Sequence, residues 1–366
     1  MTSRIAQWVR PEIRALSAYH VPDPGRLIKL DAMENPYTLP EDLVEGWLDA
    51  LRGVDMNRYP DPGARIIKER LRRVMHVPAG QEILLGNGSD ELIQILAMAV
   101  GGAGRTILAP EPGFVMYRMI ATFVGMEYVG VPVNPADFSL DAQAMLAAIE
   151  AHQPALVFLA YPNNPTGNLW DRSTIEAIIE AAPGLVVVDE AYAPFADDSF
   201  LPDLGRWDNL LVMRTVSKMG LAGLRLGYLC GPGDWLAEFD KLRLPYNINI
   251  LTQASAAFAL DHHEVFDAQA AQIRAARAGL DAGLRALGGL TVYPSAANFI
   301  LFRAPAGRAT ALFESLKRDG VLIKNLSGAG GVLEDCLRVT VGTPEENAAF
   351  LAALGRALAG GAEPAS

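Results

Sequence analysis

Four polar side chains follow two apolar segments of the sequence, and their chemistry suits one kind of cofactor. Asp189 ends the apolar run Val186–Val188, and Ser217 and Lys218 follow a second apolar run. Arg225 comes next, in a turn interrupted by glycines. A carboxylate suits a protonated pyridine nitrogen, an amine suits an aldehyde, and a hydroxyl with a guanidinium suits a phosphate. The set therefore predicts a site for pyridoxal 5'-phosphate (PLP).

Lys218 and Asp189 carry most of this prediction. A lysine amine bonds to an aldehyde only when it is often neutral, and the apolar strand and the nearby Arg225 favour that state. A buried charge on Asp189 would be costly unless a cation such as a pyridinium lay beside it. Taken alone, Lys218 also fits a surface lysine and Asp189 a turn or N-cap aspartate. Their joint spacing favours the cofactor interpretation.

Two further motifs lie where they can complete such a site. Tyr192 follows the same strand, and Asn164 lies in the turn YPNNPTG, so both are candidate donors to the ring oxygen. Tyr192 by itself also fits a core tyrosine. Gly88, Ser89 and Asp90 lie between a predicted strand and a predicted helix. Backbone amides at such a helix start are well placed to hold a phosphate.

Composition and charge exclude several other classes of protein. The net charge of −11 makes general binding to nucleic acid or to anionic membranes a poor expectation. The two cysteines, Cys230 and Cys336, have no CxxC neighbour, and the histidines lack metal-ligand spacing, so no disulfide framework or metal site is expected. The N-terminal residues lack a signal-peptide core, and the longest uncharged apolar run, Leu92–Gly104, is too short to span a bilayer. The expected compartment is the cytoplasm.

Short apolar runs alternate with helical patterns between about residues 60 and 230. This alternation predicts an α/β fold with a mostly parallel, seven-stranded sheet covered by helices on both faces. The candidate strands are Ile83–Leu85, Thr106–Ala109, Tyr128–Val133, Leu156–Ala160, Leu185–Val188, Leu210–Met213 and Leu226–Leu229. Ligands of such folds lie outside the carboxyl ends of the strands, where the predicted site residues would meet.

The pattern changes after Pro245. We expect one long helix over Thr252–Leu287, followed by a small α+β domain that contains a helix at Ala309–Arg318. The small-domain strands are predicted at Leu290–Tyr293, Phe299–Phe302, Val321–Lys324 and Cys336–Val341. The predicted organisation is an N-terminal arm that includes part of the small domain (1–45), a large PLP-binding domain (46–255) and a small C-terminal domain (256–366).

Four segments together are typical of one group of enzymes: NPTG, VVVDEAY, SK followed by GLAGLRLGY, and LRVTVGTPEEN. On these segments the chain resembles, over nearly its whole length, the fold-type-I PLP enzymes of the aspartate aminotransferase superfamily. Within that group it is similar to the histidinol-phosphate aminotransferases. The resemblance implies transamination between L-histidinol phosphate and 2-oxoglutarate in histidine biosynthesis. It also implies a cytoplasmic homodimer with a composite active site.

For the cofactor ring, the resemblance implies a role for each of five side chains. Lys218 would form the Schiff base, and Asp189 would contact the pyridine nitrogen. Asn164 and Tyr192 would contact the ring oxygen, while Phe114 would stack on the ring.

The resemblance also implies which side chains bind the anionic groups. The residues that would hold the cofactor phosphate are Ser89, Ser217, Arg225 and, across the dimer interface, Tyr59. Arg338 would hold the substrate carboxylate, a two-point contact that suits a guanidinium. Asn164 would also contact the substrate, and Tyr19 would lie near the substrate phosphate.

The chain departs from the usual family pattern at three places. SKMGLAGLR is one residue shorter than the common SKAFGLAGLR, Met33 replaces an asparagine, and Ala18 replaces a proline before Tyr19. The last two departures concern the substrate more than the cofactor. An aromatic or broad-specificity aminotransferase and a threonine-phosphate decarboxylase therefore stay open as alternatives. A PLP-sensing transcriptional regulator would need a DNA-binding module, and about 45 residues before the body are too few for one.

Overall fold

The computed structural model describes residues 4–18 and 22–360. The strands in these residues are β1 (Ile28–Lys29), β2 (Gln81–Gly86), β3 (Thr106–Glu111), β4 (Glu127–Pro132), β5 (Leu156–Ala160), β6 (Leu185–Asp189), β7 (Leu210–Thr215), β8 (Gly227–Pro232), β9 (Thr291–Val292), β10 (Phe299–Arg303), β11 (Val321–Leu322), β12 (Lys324–Asn325) and β13 (Cys336–Thr340).

The α-helices in the same residues are α1 (Arg4–Trp8), α2 (Pro11–Arg14), α3 (Glu41–Arg52), α4 (Arg65–Val74), α5 (Ser89–Val100), α6 (Val115–Val124), α7 (Ala142–His152), α8 (Arg172–Ala181), α9 (Gly233–Asp240), α10 (Ile250–Asp261), α11 (His263–Ala286), α12 (Ala309–Arg318) and α13 (Pro344–Ala359). Short 3-10 helices lie between them, one of which, Ser217–Met219, carries Lys218.

The predicted seven-stranded sheet is confirmed, with the strand order β2-β8-β7-β6-β5-β3-β4. β8 runs antiparallel to both of its neighbours, and the other neighbouring pairs are parallel. β5 and β6 are buried along their whole length. Two apolar clusters, one on each face, join the sheet to its covering helices. Burial on both faces explains why these strands read as continuous apolar runs.

A second sheet belongs to the C-terminal part of the chain, in the order β12-β13-β10-β9. Its strands pair antiparallel and share an apolar cluster with α11, α12 and α13. β1 pairs in parallel with β11, which places Ile28 opposite Val321. This separate two-stranded pairing ties the N-terminal segment to the C-terminal part of the chain before the chain enters the large sheet.

The long helix predicted over Thr252–Leu287 is wrong in one respect, because it is broken at His262. The backbone of His262 leaves the helical region (φ −120°, ψ 34°), and its Nδ1 lies 2.9 Å from the carbonyl oxygen of Phe258. Just before the break, Asp261 pairs with Arg70 and Arg73 of α4. These contacts end α10 against α4 and redirect α11 toward the C-terminal sheet.

Two smaller differences concern short segments. The predicted strand Val321–Lys324 is divided at Ile323 into β11 and β12, which pair with different partners. The N-terminal segment, for which no helix was predicted, contains α1 and α2. Across the part of the chain that is described, no helix has the length and apolar character needed to cross a membrane. The same residues hold no cluster of three or more ligating side chains that could bind a metal ion.

Candidate active site

A cavity of about 120 Å³ lies at the carboxyl edge of the large sheet. The sequence-predicted residues that line it are Ser89, Asp90, Phe114, Asn164, Asp189, Tyr192, Ser217, Lys218 and Arg225. The remaining lining residues are Met33, Ala160, Pro162, Ala191 and Thr215. Segments that are far apart in the sequence meet here because β5, β6 and β7 are adjacent and parallel and so end on the same side.

Asp189 is a buried carboxylate whose hydrogen-bond donors are neutral. The hydroxyl of Tyr117 donates to Oδ2 at 2.6 Å, and the amide of Ala191 donates to Oδ1 at 3.1 Å. Burial raises the pKa of Asp189 to about 6, although both hydrogen bonds act to lower it. A cationic ring nitrogen beside Asp189 would supply the positive charge that these neutral donors do not.

Lys218 places its amine in the same cavity. Its Nζ donates to the carbonyl oxygen of Ala32 at 3.4 Å and lies 5.6 Å from the centre of the Tyr192 ring. Burial, and after it the positive charge of Arg338, lowers the pKa of Lys218 to about 8. A substantial fraction of the amine is therefore neutral near pH 8, as bonding to an aldehyde requires.

The phosphate-binding part of the prediction falls on the start of α5. Gly88 precedes the helix with φ +82°, and no side chain caps the helix N-terminus. A Cβ on Gly88 would lie 2.6 Å from Nη2 of Arg225, so only glycine lets the guanidinium pack there. Nη2 also lies 3.5 Å from the carboxylate of Asp90. Uncapped amides beside a guanidinium suit a phosphate.

Ser217 follows the end of β7 and lines the same cavity as Ser89, the first residue of α5. Its hydroxyl bonds to that of Thr215 at 2.9 Å, and both residues line the cavity. Arg225 has a left-handed backbone with φ +49°, which turns the shortened loop toward the cavity. The one-residue departure in this loop therefore leaves Arg225 among the cavity residues.

Arg338 connects the C-terminal sheet to this cavity. It lies on β13, and its Nη1 donates to Oδ1 of Asn164 at 2.6 Å while Nη2 donates to the carbonyl oxygen of Asp31 at 3.2 Å. Nδ2 of Asn164 in turn donates to the hydroxyl of Tyr192 at 3.2 Å. A buried Arg338 is thus bonded directly to Asn164 and, through Asn164, connected to Tyr192, the two residues predicted to contact the ring oxygen.

Of the predicted residues that the structure describes, Gly88 and Arg338 adjoin lining residues without lining the cavity themselves, and Tyr59 lies apart from it. Tyr59 does not line the cavity; its side chain is 79% exposed and stacks on Tyr246 with ring centres 4.4 Å apart. Tyr19 lies outside the described residues.

Sequence reasoning missed Tyr117, and it noted Met33 as a departure from the family pattern without placing it in the cavity. Tyr117 lies three residues after Phe114, the residue that precedes α6, and the two rings meet edge-on, so the segment PGFVMY contained a usable signal. Met33 lines the cavity with φ +53°, a conformation that its sequence does not indicate.

The donor set fits PLP. We expect Asp189 to contact the ring nitrogen, Lys218 the aldehyde carbon, and Asn164 with Tyr192 the ring oxygen. Phe114 lines the cavity, and we expect it to stack on the ring. The phosphate would be held by Ser89, Ser217, Arg225 and the amides that begin α5. When bound, PLP supplies a conjugated ring that delocalises negative charge from the substrate's α-carbon.

Comparison with known proteins agrees with this geometry. The sequence profile of the family described as aminotransferase class I and II matches residues 26–354. A histidinol-phosphate aminotransferase 2 of Nitrosococcus oceani is 60% identical over 96% of this chain and 97% of its own length. A histidinol-phosphate aminotransferase 1 of Ralstonia nicotianae is 56% identical over 96% and 94%.

A solved structure extends the similarity to the fold and the cofactor. It is a histidinol-phosphate aminotransferase from Sinorhizobium meliloti in complex with pyridoxal-5'-phosphate. It superposes with a TM-score of 0.84 at 28% identity and covers 96% of this chain and 97% of its own. From the profile match, the relatives and the shared fold, we conclude that the chain belongs to the class I and II aminotransferases, which use PLP.

Proposed function

We propose that this enzyme transfers the amino group between L-histidinol phosphate and 2-oxoglutarate, with imidazole acetol phosphate and glutamate as the products. It would act in histidine biosynthesis, in the cytoplasm. The observation that carries the proposal is the 60% identity, over nearly the full length of both chains, to a protein named histidinol-phosphate aminotransferase. The cavity supports it, because Lys218, Asp189 and Arg338 provide an amine, an anion and a cation in one place.

Lys218 is the proposed proton carrier of the reaction. With PLP bound, the Nζ of Lys218 would be the group that takes the proton from the substrate's α-carbon and gives a proton back. A group with a pKa of about 8 suits both directions of transfer near neutral pH. Asp189 would hold the ring nitrogen of PLP in its protonated form, and the ring would then stabilise the charge that develops at the α-carbon.

Arg338 is the proposed site for the carboxylate of glutamate and 2-oxoglutarate. Its guanidinium is only 6% exposed, and a carboxylate placed there gains charge-assisted hydrogen bonds with little screening. Histidinol phosphate lacks this carboxylate and carries a phosphate instead. We therefore assign Tyr19 and the N-terminal segment to the phosphate side of the substrate, on the family resemblance alone.

We also propose that the enzyme is a homodimer in which Tyr59 reaches the cofactor phosphate of the other subunit. Tyr59 is exposed and stacks on Tyr246, and Met56 and Ile66 nearby in the sequence are also exposed apolar residues. Aromatic and methionine side chains are enriched at protein interfaces. A hydroxyl held on an outward-facing aromatic pair is available to a second subunit.

One substrate panel tests the proposed function. The purified enzyme, loaded with PLP, is given histidinol phosphate, phenylalanine or threonine phosphate, each with 2-oxoglutarate, and glutamate formation and CO2 release are measured. We expect histidinol phosphate to give the highest kcat/KM, with no CO2 release. Faster turnover of phenylalanine would indicate an aromatic aminotransferase, and CO2 from threonine phosphate would indicate a decarboxylase. Lys218→Ala is the inactive control.

A further inference from the structure

Tyr117 is a buried tyrosine that reaches the functional carboxylate from behind the cavity. It is the third residue of α6, it is 1% exposed, and its hydroxyl donates to Oδ2 of Asp189 at 2.6 Å. We propose that Tyr117 is a positioning residue that holds the Asp189 carboxylate ionised and oriented toward the cofactor's ring nitrogen. The proposal rests on the proposed function, because it requires PLP beside Asp189.

Aromatic packing fixes the direction of the Tyr117 hydroxyl. The Tyr117 ring stacks on Phe158 of β5, with centres 4.5 Å apart and planes 5° apart. Phe114, the candidate ring-stacking residue, meets the Tyr117 ring edge-on at 5.5 Å. Offset and edge-on aromatic contacts of this kind hold rings in place. The hydroxyl therefore has one stable position, which points at Asp189.

Each oxygen of the Asp189 carboxylate accepts a hydrogen bond from a different donor. Tyr117 binds Oδ2, and the amide of Ala191 binds Oδ1 at 3.1 Å. With one fixed donor on each oxygen, the carboxylate cannot rotate freely about its own bond. Because Asp189 and Ala191 both line the cavity, the carboxylate is held at the cavity wall.

The burial and the negative charges around Asp189 make its ionisation depend on the hydrogen bond from Tyr117. Burial and the negative charges of Asp90 and Glu190 raise the pKa of Asp189, and the Tyr117 hydroxyl is the largest influence that lowers it. The other titratable groups at this cavity are Tyr192, Lys218 and Arg225. Burial and the Asp189 charge raise the pKa of Tyr117 itself well above its usual range, so its hydroxyl stays a donor. Loss of this donor would favour neutral Asp189, which cannot pair with a pyridinium.

The test compares two tyrosine-to-phenylalanine variants that each lose a hydroxyl bonded to an aspartate. Tyr117→Phe removes the donor to Asp189, and the matched control Tyr161→Phe removes a donor to Asp198 at 2.7 Å, outside the cavity lining. For each full-length protein, PLP is removed and its dissociation constant is measured from pH 6 to pH 9. Thermal unfolding of the PLP-free proteins accompanies the titration.

We expect Tyr117→Phe to bind PLP about ten- to a hundredfold more weakly near neutral pH, the scale of one hydrogen bond to a charged group. The loss should shrink toward pH 9, because Asp189 becomes ionised even without its donor. Replacement of Tyr117 by a fluorinated tyrosine, a stronger donor of nearly the same shape, should move the pH profile the opposite way. This second variant decides the question even if Tyr117→Phe does not fold.

The outcomes separate this inference from the proposed function. A wild-type protein that binds no PLP contradicts the proposed function itself. A wild-type protein that binds PLP, with Tyr117→Phe and the fluorinated variant following its pH profile unchanged, overturns only the role of Tyr117. The role is also overturned if Tyr161→Phe shifts the profile as much as Tyr117→Phe.

Discussion

At the scale of single residues, the amine of Lys218 is controlled by charges that come from other parts of the chain. Burial lowers its pKa to about 8, and Arg338 and Arg225 add to the effect because a second positive charge nearby is unfavourable. We therefore expect Arg338 to lower the pKa of the Lys218 amine as well as to bind the substrate. The two effects can be measured separately, the first from the pH dependence of Lys218 labelling and the second from the KM for 2-oxoglutarate.

The first prediction concerns the reactivity of Lys218 with pH. In the PLP-free protein, labelling of Lys218 by an amine-specific reagent should rise with a midpoint near pH 8, because the neutral amine appears as pH passes its pKa. Arg338→Ala removes a charge that lowers this pKa, so the midpoint should move to higher pH. Peptide mass spectrometry gives the extent of labelling at each pH. Arg308→Ala is the control, since Arg308 bonds to carbonyl oxygens at the end of α13; an equal shift in both variants would contradict the assignment.

The second prediction concerns Arg338 and the substrate. Arg338→Ala should raise the KM for 2-oxoglutarate about ten- to a hundredfold, because a buried anion loses a charged donor. Arg338→Lys should fall between wild type and Arg338→Ala, since an ammonium keeps the charge but cannot make the two-point contact. Steady-state kinetics with 2-oxoglutarate varied give these values. A KM that changes less than twofold in Arg338→Ala would place the carboxylate elsewhere.

At the scale of elements, the start of α5 depends on a single glycine. Gly88→Ala would place a Cβ 2.6 Å from Arg225 at a backbone φ of +82°. Gly80→Ala is a matched control, with φ +81° and no heavy atom within 4 Å of the added Cβ. Both variants place an alanine at a positive φ, and Gly88, with ψ 167°, lies in a region that is essentially restricted to glycine, so each should lose roughly 1–3 kcal/mol of folding free energy. Only Gly88→Ala should also bind PLP at least tenfold more weakly.

Thermal unfolding and PLP titration of both variants distinguish the two effects. If Gly80→Ala weakens PLP binding as much as Gly88→Ala does, general destabilisation explains the loss. The same result would remove the support for a phosphate site at this helix.

The sequence predicted the strands better than the breaks between elements. Strands such as β5 and β6 are buried on both faces, so their apolar runs are visible locally. The break at His262 depends on Arg70 and Arg73, which lie almost two hundred positions earlier and leave no local signal.

The site residues also divide into those that a local motif reveals and those whose role depends on a distant partner. Lys218, Asp189 and Asn164 were recognised by motif and do line the cavity. Tyr117 was not, because a tyrosine on an amphipathic helix looks like a core residue until its partner 72 positions away is known.

At the scale of the whole molecule, the exposed Tyr59 leads to a prediction about subunits. If Tyr59 serves the partner's cofactor, mixing Tyr59→Phe chains with Lys218→Ala chains should restore activity, because one site of each heterodimer then has both intact residues. Random pairing would restore about a quarter of the wild-type sites. The two variants are refolded together, and heterodimer formation is checked with distinct affinity tags. Heterodimers that form but stay as inactive as the parents would argue against a shared site.

The pairing of β1 with β11 has a consequence for how the enzyme is made. β1 contains Ile28 and its partner contains Val321, while Lys218 bonds to the carbonyl of Ala32 just after β1. A ribosome adds about 5–20 residues per second, so roughly 15 to 60 s pass between the synthesis of β1 and the synthesis of β11. During that time the large sheet can form, but the wall of the cavity contributed by residues 31–33 has no anchor. The cofactor site is therefore completed late in synthesis, and stable capture of PLP belongs to the nearly finished chain.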